Sequence, residues 1–322
     1  RRQRQMCIRD REYTDNAHYF TRILMQMNPD GTNLRSIYGS NSFWPNTMFY
    51  AKQIPGKTSQ FAAICSGHHG AARAGELIVF DTAKGEFEAD GVVQRIPGYG
   101  KEVEPVIIDH YMKDKWPRFL HPYPLSENYF LVSAQLEPSE RWSLYLVDRF
   151  DNMIKLASDR KYLFEPIPLK KRERPPIIPD RRIYDAEDAT LFIQDIYAGP
   201  GLKDIPRGTV KALRLFNYGY AYRLHGSHAA LAIEGGWDMK RVLGTVPVEE
   251  DGSAMLSIPH SIPISIQPLD ENGQALQIMR SWLAAMPGER LSCVGCHEST
   301  RTPPPERMAL AARKMPQKLS PW

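Results

Sequence analysis

The chain is poor in cysteine and in long apolar runs. Its 322 residues include only Cys7, Cys65, Cys293 and Cys296. Four cysteines are too few for the disulfide framework of a small secreted scaffold. No apolar stretch approaches the roughly 18 residues that a spanning helix needs, so no membrane span is expected. Charge of either sign is modest, with a net charge of +4. The densest basic run, Lys170-Lys171-Arg172-Glu173-Arg174, adjoins Pro175-Pro176 and reads as solvated linker, so nucleic acid is not an expected partner. G-x-G-x-x-G, the Walker lysine motif, the G-x-S-x-G elbow and H-E-x-x-H are all absent, and with them the signatures of four large enzyme classes. Long helical periodicity is scarce too. No signal peptide is visible. The chain opens Arg1-Arg2-Gln3 and closes Ser320-Pro321-Trp322, which reads as an excised fragment with further N- and C-terminal segments expected.

What is present is Cys293-Val-Gly-Cys296-His297, the C-x-x-C-H pattern of covalent c-type haem attachment. Two thiols at this spacing add to the two vinyl groups of one porphyrin edge, and the adjacent imidazole then reaches the iron. The competing readings are a zinc half-site, which needs more ligands from elsewhere, and a redox thiol pair, which should open a helix after a strand. Here the motif follows the turn Met286-Pro287-Gly288-Glu289 and leads into a loop, which suits haem better. Haem c is therefore the expected cofactor, with zinc as the rival. A c-type haem protein matures outside the bacterial cytoplasm, so a periplasmic or otherwise extracytoplasmic location is expected.

The 26 prolines break the chain into short apolar or alternating runs. Candidate strands are Ile23–Met27, Phe61–Ile64, Glu76–Phe80, Tyr129–Ser133, Ser143–Val147, Thr190–Asp195, Lys211–Tyr218, Leu243–Pro247, Ala254–Ile258 and Ser265–Leu269. That spacing predicts a mainly-β chain. Residues 1–165 read as partial β-propeller blades, the end of a longer propeller. Arg22–Arg35 reads as strand, Asn28-Pro29-Asp30-Gly31 turn and strand, and resembles the repeat of Tol-type propellers. Gly75–Asp81 and Trp142–Asp148 are both strands ending in Asp, about 67 residues apart. Residues 166–182 form a Pro-rich linker. Residues 183–322 read as a β-sandwich-like domain ending in the haem-attachment loop. Within it, 244–259 is predicted as a hairpin turning at Asp251-Gly252, and 264–273 as another turning at Asn272-Gly273. Helix is predicted over Glu306–Lys314 and, less clearly, over Gly273–Leu283.

The phrases GTVPVEEDG (244–252), QPLDENG (267–273), Met279-Arg-Ser-Trp282, Met286-Pro-Gly-Glu289 and SCVGCHE (292–298), in this order, resemble the haem-binding middle region of the hydrazine synthase alpha-subunit family. Phe43-Trp-Pro45, Ser66-Gly-His-His-Gly70, 116–124 and Pro206-Arg-Gly-Thr209 fit the same grouping. The resemblance implies an N-terminal propeller, a middle domain with one c-haem, and a second cytochrome segment after it. It places Cys293 and Cys296 at the thioether positions and His297 at the motif histidine. In hydrazine synthase itself a tyrosine shortly after the motif ligates the iron, while the motif histidine faces a zinc. No tyrosine follows His297, and Arg301 stands four residues on. The departure makes His297 the default axial ligand and leaves hydrazine synthesis unsupported.

Other candidates surround this reading. Cys65-Ser-Gly-His68-His69 puts a thiol and two imidazoles within five residues, as a distal haem group or part of a zinc site. His121, in a rigid Pro-rich aromatic loop, is a further catalytic candidate, and either it or His110, which follows Asp109, could line a pocket. His225 and His228 could share a metal, whereas His18 and His260 read as structural. Arg280 and Arg290 are expected near haem propionates, and Trp282 against the macrocycle. Two functions fit. One is a cytochrome in redox chemistry or electron transfer, with a redox partner protein. The other is a non-enzymatic propeller-type binding or scaffold module with a structural or sensory haem.

Overall fold

The computed structural model of the chain describes residues 10–14, 17–21, 24–39, 42–67, 69–71, 73–108, 110–171, 174–220, 238–277, 279, 282–296 and 306–321. It is mainly β and divides into two compact units. Unit 1 comprises Arg1–Gln26 and Arg35–Ile177, and unit 2 comprises Met27–Leu34 and Ile178–Trp322. Among the described residues no helix is long and apolar enough to cross a membrane.

Unit 1 begins with two short antiparallel pairs, β1 (Asp10–Thr14) with β2 (Ala17–Thr21), and β3 (Leu24–Gln26) with β4 (Arg35–Tyr38). Two four-stranded antiparallel sheets follow, each built from strands consecutive in the chain. The first is β5 (Thr47–Gln53), β6 (Gln60–Ser66), β7 (Glu76–Asp81) and β8 (Val92–Ile96). The second is β9 (Arg118–Pro124), β10 (Tyr129–Gln135), β11 (Ser143–Asp148) and β12 (Met153–Ala157). Four consecutive strands per sheet is the blade plan of a propeller.

The period-2 alternation of a strand explains how the first sheet is buried on both faces. Ala62, Ile64, Leu77 and Val79 meet Phe130, Val132 and Tyr145 of the second sheet. The intervening Phe61, Ala63, Cys65, Ile78 and Phe80 face a second core with Tyr38, Trp44 and Met48. Phe61 stacks on Phe80 at 5.1 Å between centroids, and Tyr38 meets Phe80 edge-on at 4.7 Å. The two runs ending in Asp are the third strands of the two sheets. Asp81 accepts the Ala83 N–H at 2.9 Å, and Asp148 accepts those of Phe150 and Asn152 at 2.9 and 3.0 Å. Burial pushes the Asp148 carboxyl up, but donors from Asn152 and Phe150 outweigh it and hold the group below its ordinary range.

Among the described residues unit 2 holds two three-stranded sheets. One has the order β16 (Ala254–Ile258), β13 (Ala189–Ile193), β18 (Arg290–Cys293). The other has the order β15 (Asp238–Pro247), β14 (Ala212–Tyr220), β17 (Ile264–Leu269). Leu191, Ile193, Leu256 and Ile258 from the first share one core with Leu213, Leu215, Val246 and Ile264 from the second. This is a small sandwich.

Three local expectations are corrected. The turn at Asp251-Gly252 forms, with Gly252 N donating to Glu249 O at 2.8 Å, but it does not close a hairpin. β15 pairs with β14 whereas β16 pairs with β13, so the turn carries the chain from one sheet to the other. Residues 306–314 hold only a 3₁₀ turn at Leu310–Arg313. The N–H groups of Leu310 and Ala311 are taken by Asp251 Oδ2 and Ser253 Oγ, which fixes this segment from outside, and Pro316 follows. The described part of 273–283 is extended, bridged at Ala275 to Leu269 and at Leu283 to Ile264. Its apolar spacing serves a sheet edge.

Phe80→Ala should cost about 3–5 kcal/mol, because it empties the centre of a close-packed aromatic cluster. Phe150→Ala, at a side chain 53% exposed, should cost less than about 0.5 kcal/mol. Chemical denaturation of the two variants checks the contrast.

Candidate functional site

The C-x-x-C segment sits at the end of β18, which runs parallel to β13 with Ile193 opposite Cys293. Beyond the ladder, backbone bonds continue to hold it. Gln194 N donates to Cys293 O at 3.0 Å and Asp195 N to Val294 O at 2.9 Å. Cys296 N donates to Ala198 O at 2.8 Å, and Gly201 N to Cys296 O at 3.1 Å. Gly295 is required by this closeness, since a Cβ there would lie 2.3 Å from Ala198 O and 2.5 Å from Asp195 O. Leu291 and Cys293 face the sandwich core, together with Cys296. Both cysteines are half-buried thiols. Two thiols are thus carried by one fixed turn at the edge of an apolar core, the donor set that a doubly attached porphyrin needs.

The chain is fixed again on the far side of the motif. Asp195, 7% exposed at its side chain, accepts Arg307 Nη2 at 3.0 Å and Arg207 Nη2 at 2.9 Å. Arg307 also reaches Asp251 through Nη1–Oδ2 at 3.1 Å and donates to its carbonyl at 2.7 Å. Asp251 in turn holds Ser253 Oγ at 2.6 Å. Burial raises the Asp251 carboxyl, but donors from Ser253 and Leu310 bring it below its usual range. The described chain is therefore anchored on both sides of residues 297–305. Sequence reasoning missed this role for Asp195, Asp251 and Arg307. No spacing signals it, because the partners lie far apart in the chain.

The predicted site residues are distributed as follows. His297 and Arg280 lie outside the described residues, as do His68, His225, His228 and Asp109. Arg290 opens β18 and is exposed, on the strand face opposite Cys293. Trp282 is half-buried beside Leu283. The remaining candidates belong to unit 1. Cys65 is 2% exposed on the apolar side of β6. Burial pushes its thiol well up, and the Glu76 carboxylate adds to this. His69 is exposed, with its ring 5.6 Å from that of His110. His121 stands in β9 with Nε2 3.7 Å from Glu165 Oε1. Among the described residues no three His, Cys, Asp or Glu side chains are grouped as a metal site.

These features define a mainly-β protein that joins propeller-type sheets to a sandwich bearing a C-x-x-C turn. Comparison with known proteins makes the class particular. The family model described as the hydrazine synthase alpha subunit middle domain matches residues 208–298. Hydrazine synthase subunit alpha of Kuenenia stuttgartiensis is 27% identical over 126 residues, covering 34% of this chain and 16% of that protein. The solved structure of Kuenenia stuttgartiensis hydrazine synthase superposes with a TM-score of 0.64 at 17% identity, over 92% of this chain and 42% of that one. Residues 208–298 thus match the middle domain of the hydrazine synthase alpha subunit, and the chain spans less than half the length of these relatives.

Gly295→Ala should destabilise the protein by about 1–3 kcal/mol, because the added methyl overpacks backbone on both sides. Denaturant unfolding measures it. Cys65 should resist iodoacetamide in the native protein and react once unfolded, since only the thiolate attacks and burial disfavours it. Peptide mass mapping of the two samples reads the outcome.

Proposed function

We propose that this chain is a c-type haem protein acting in redox chemistry or electron transfer, with haem attached at Cys293 and Cys296 and ligated by His297. The observation that carries the reading is the placement of both thiols on one turn whose backbone is held by β13 and the Asp195–Ala198 segment. Attachment at two points tolerates little motion between the thiols, and the hydrogen bonds of Cys293, Val294 and Cys296 restrict it.

When bound, the haem would supply one-electron exchange and an iron to which a small molecule can bind. The chain's own residues do the rest. Gly295 lets the turn lie against Asp195 and Ala198. The Asp195–Arg307–Asp251 network anchors the chain where the described residues resume after the motif. Trp282, half-buried just upstream, is assigned to the apolar wall. Arg280 and Arg290 are the proposed propionate partners. The relative's name states hydrazine synthesis of that enzyme. We do not carry that activity over, because no tyrosine follows His297 here. An extracytoplasmic location goes with the reading. So do a redox partner protein and, since the relative is itself named a subunit, partner subunits.

The test is an absorption spectrum of protein produced with cytochrome c maturation machinery, oxidised, reduced and reduced under carbon monoxide. A covalent haem spectrum is expected for the native chain and none for Cys293→Ala/Cys296→Ala. His297→Ala should keep covalent haem but shift its bands. A carbon monoxide shift in the native chain would indicate an open iron position and chemistry, and its absence would indicate electron transfer. A native chain without covalent haem overturns the proposal and returns the motif to the zinc or thiol reading.

A further inference from the structure

Unit 1 holds a second constellation that the haem reading does not use. A cavity of about 320 Å³ lies where β5 and β9, the first strands of the two four-stranded sheets, come together. Leu24, Tyr50, Lys52, His121, Glu165 and Ile167 line it. Both strands are deformed here. The β5–β6 register shifts between Phe49 and Lys52, and Tyr50 in that bulge has φ 54°. The β9–β10 register shifts between Leu131 and Ser133, and His121 opposite it has φ 50°. Glu165 has φ 54°. Left-handed backbone at non-glycine residues is strained and gathers where side chains must be aimed at a ligand. Bulges aim them in this way.

The lining mixes Leu24, Tyr50 and Ile167 with Lys52, His121 and Glu165. The His121 ring lies 4.3 Å from the Tyr50 ring and 5.8 Å from that of Phe164. Its side chain is 15% exposed, whereas that of Glu165 is 72% exposed. The Nε2–Oε1 separation of 3.7 Å is within ion-pair reach but too long for a hydrogen bond. Burial lowers the His121 pKa, with Glu165 acting the other way and Lys52 adding to the lowering. Burial thus favours the uncharged imidazole, and Glu165 faces its Nε2 edge. His121 Nδ1 is buried and has no hydrogen-bond partner among the described residues. That argues against a metal at Nε2, because a metal-bound histidine normally donates through its other nitrogen. Lys52, whose Nζ also lies over the Tyr123 ring at 5.2 Å, His121 and Glu165 thus line a cavity of mixed polar and apolar surface, at the small end of the ligand-pocket range.

We propose that this cavity binds a small zwitterion of the α-amino-acid class. Lys52 and the His121 Nε2–H take the ligand carboxylate, and Glu165 takes its ammonium. Tyr50, Leu24 and Ile167 hold an apolar side chain. Opposite charges on one rim complement a ligand that carries both, and discriminate against a ligand with only one.

Isothermal titration of the full chain with L-leucine and L-phenylalanine tests this. Saturable one-site binding of at least one of them is expected. For L-leucine the controls are 4-methylpentanoate and 3-methylbutylamine, each lacking one charge, and for L-phenylalanine they are 3-phenylpropionate and phenethylamine. Each control should bind at least tenfold more weakly than its parent. Lys52→Met and Glu165→Gln, at side chains that reach solvent, should each weaken binding at least tenfold with an unchanged thermal midpoint. The proposal is overturned if neither amino acid binds saturably, if a one-charge analogue matches its parent, or if both variants bind like the native chain. None of these outcomes bears on the haem reading.

Discussion

The parallel pairing of β18 with β13 is the contact on which the second unit depends. A short, half-polar strand with Arg290 and Ser292 facing outward would not stay extended by propensity alone. It is held because β13 is central, with β16 on its other edge and the sandwich core beneath. Its partner lies about a hundred residues upstream, so this ordering is bought with a long loop closure. Once formed, the ladder delivers Cys293 to a fixed place, and its continuation through Asp195, Ala198 and Gly201 fixes Cys296. The buried Asp195 carboxylate then takes two arginines, one from either side of the motif in sequence. Geometry at the proposed attachment site thus follows from a sheet, and loops only extend it.

Unit 1 rests on a different constraint. The first sheet is covered on both faces, so its middle strands β6 and β7 are apolar at nearly every position. This explains Cys65. It falls on an inward-facing position of β6, where a small weakly polar side chain packs well and burial disfavours the thiolate. The next residues in the same motif are of another kind, since His69 is exposed. A pattern that looks like one constellation in sequence is split by the end of a strand.

Much of the architecture was legible in the chain itself. Runs such as Glu76–Phe80 and Ser143–Val147 are apolar, bounded by turn residues and closed by an aspartate that caps the next turn, and they lie in the third strands of the two sheets. Ala254–Ile258 alternates so cleanly that its bounds match β16. Other strands were hidden for physical reasons. β9 carries Pro122 and Pro124 and a left-handed His121, and β5 is bulged at Tyr50, so neither keeps a regular period. β12 is an edge strand with four exposed positions. The structure carries both thiols on one turn, and their C-x-x-C spacing was legible in the sequence. The Asp195–Arg307–Asp251 anchor was not, nor was the gathering of Tyr50, His121 and Glu165, because both depend on residues brought together only by the fold. Helix-like spacing at 306–314 misled because outside acceptors, Asp251 and Ser253, claim the backbone donors that would have opened a helix.

The central claim is covalent attachment at the C-x-x-C turn. The most direct measurement is the intact mass of the native chain made in a maturation-competent periplasm, after extraction with acidified acetone, followed by mass mapping of the peptide containing Cys293 and Cys296. The account predicts a mass gain of one haem that survives extraction and resides on that peptide. An unmodified mass, or a haem removed by extraction, would contradict it.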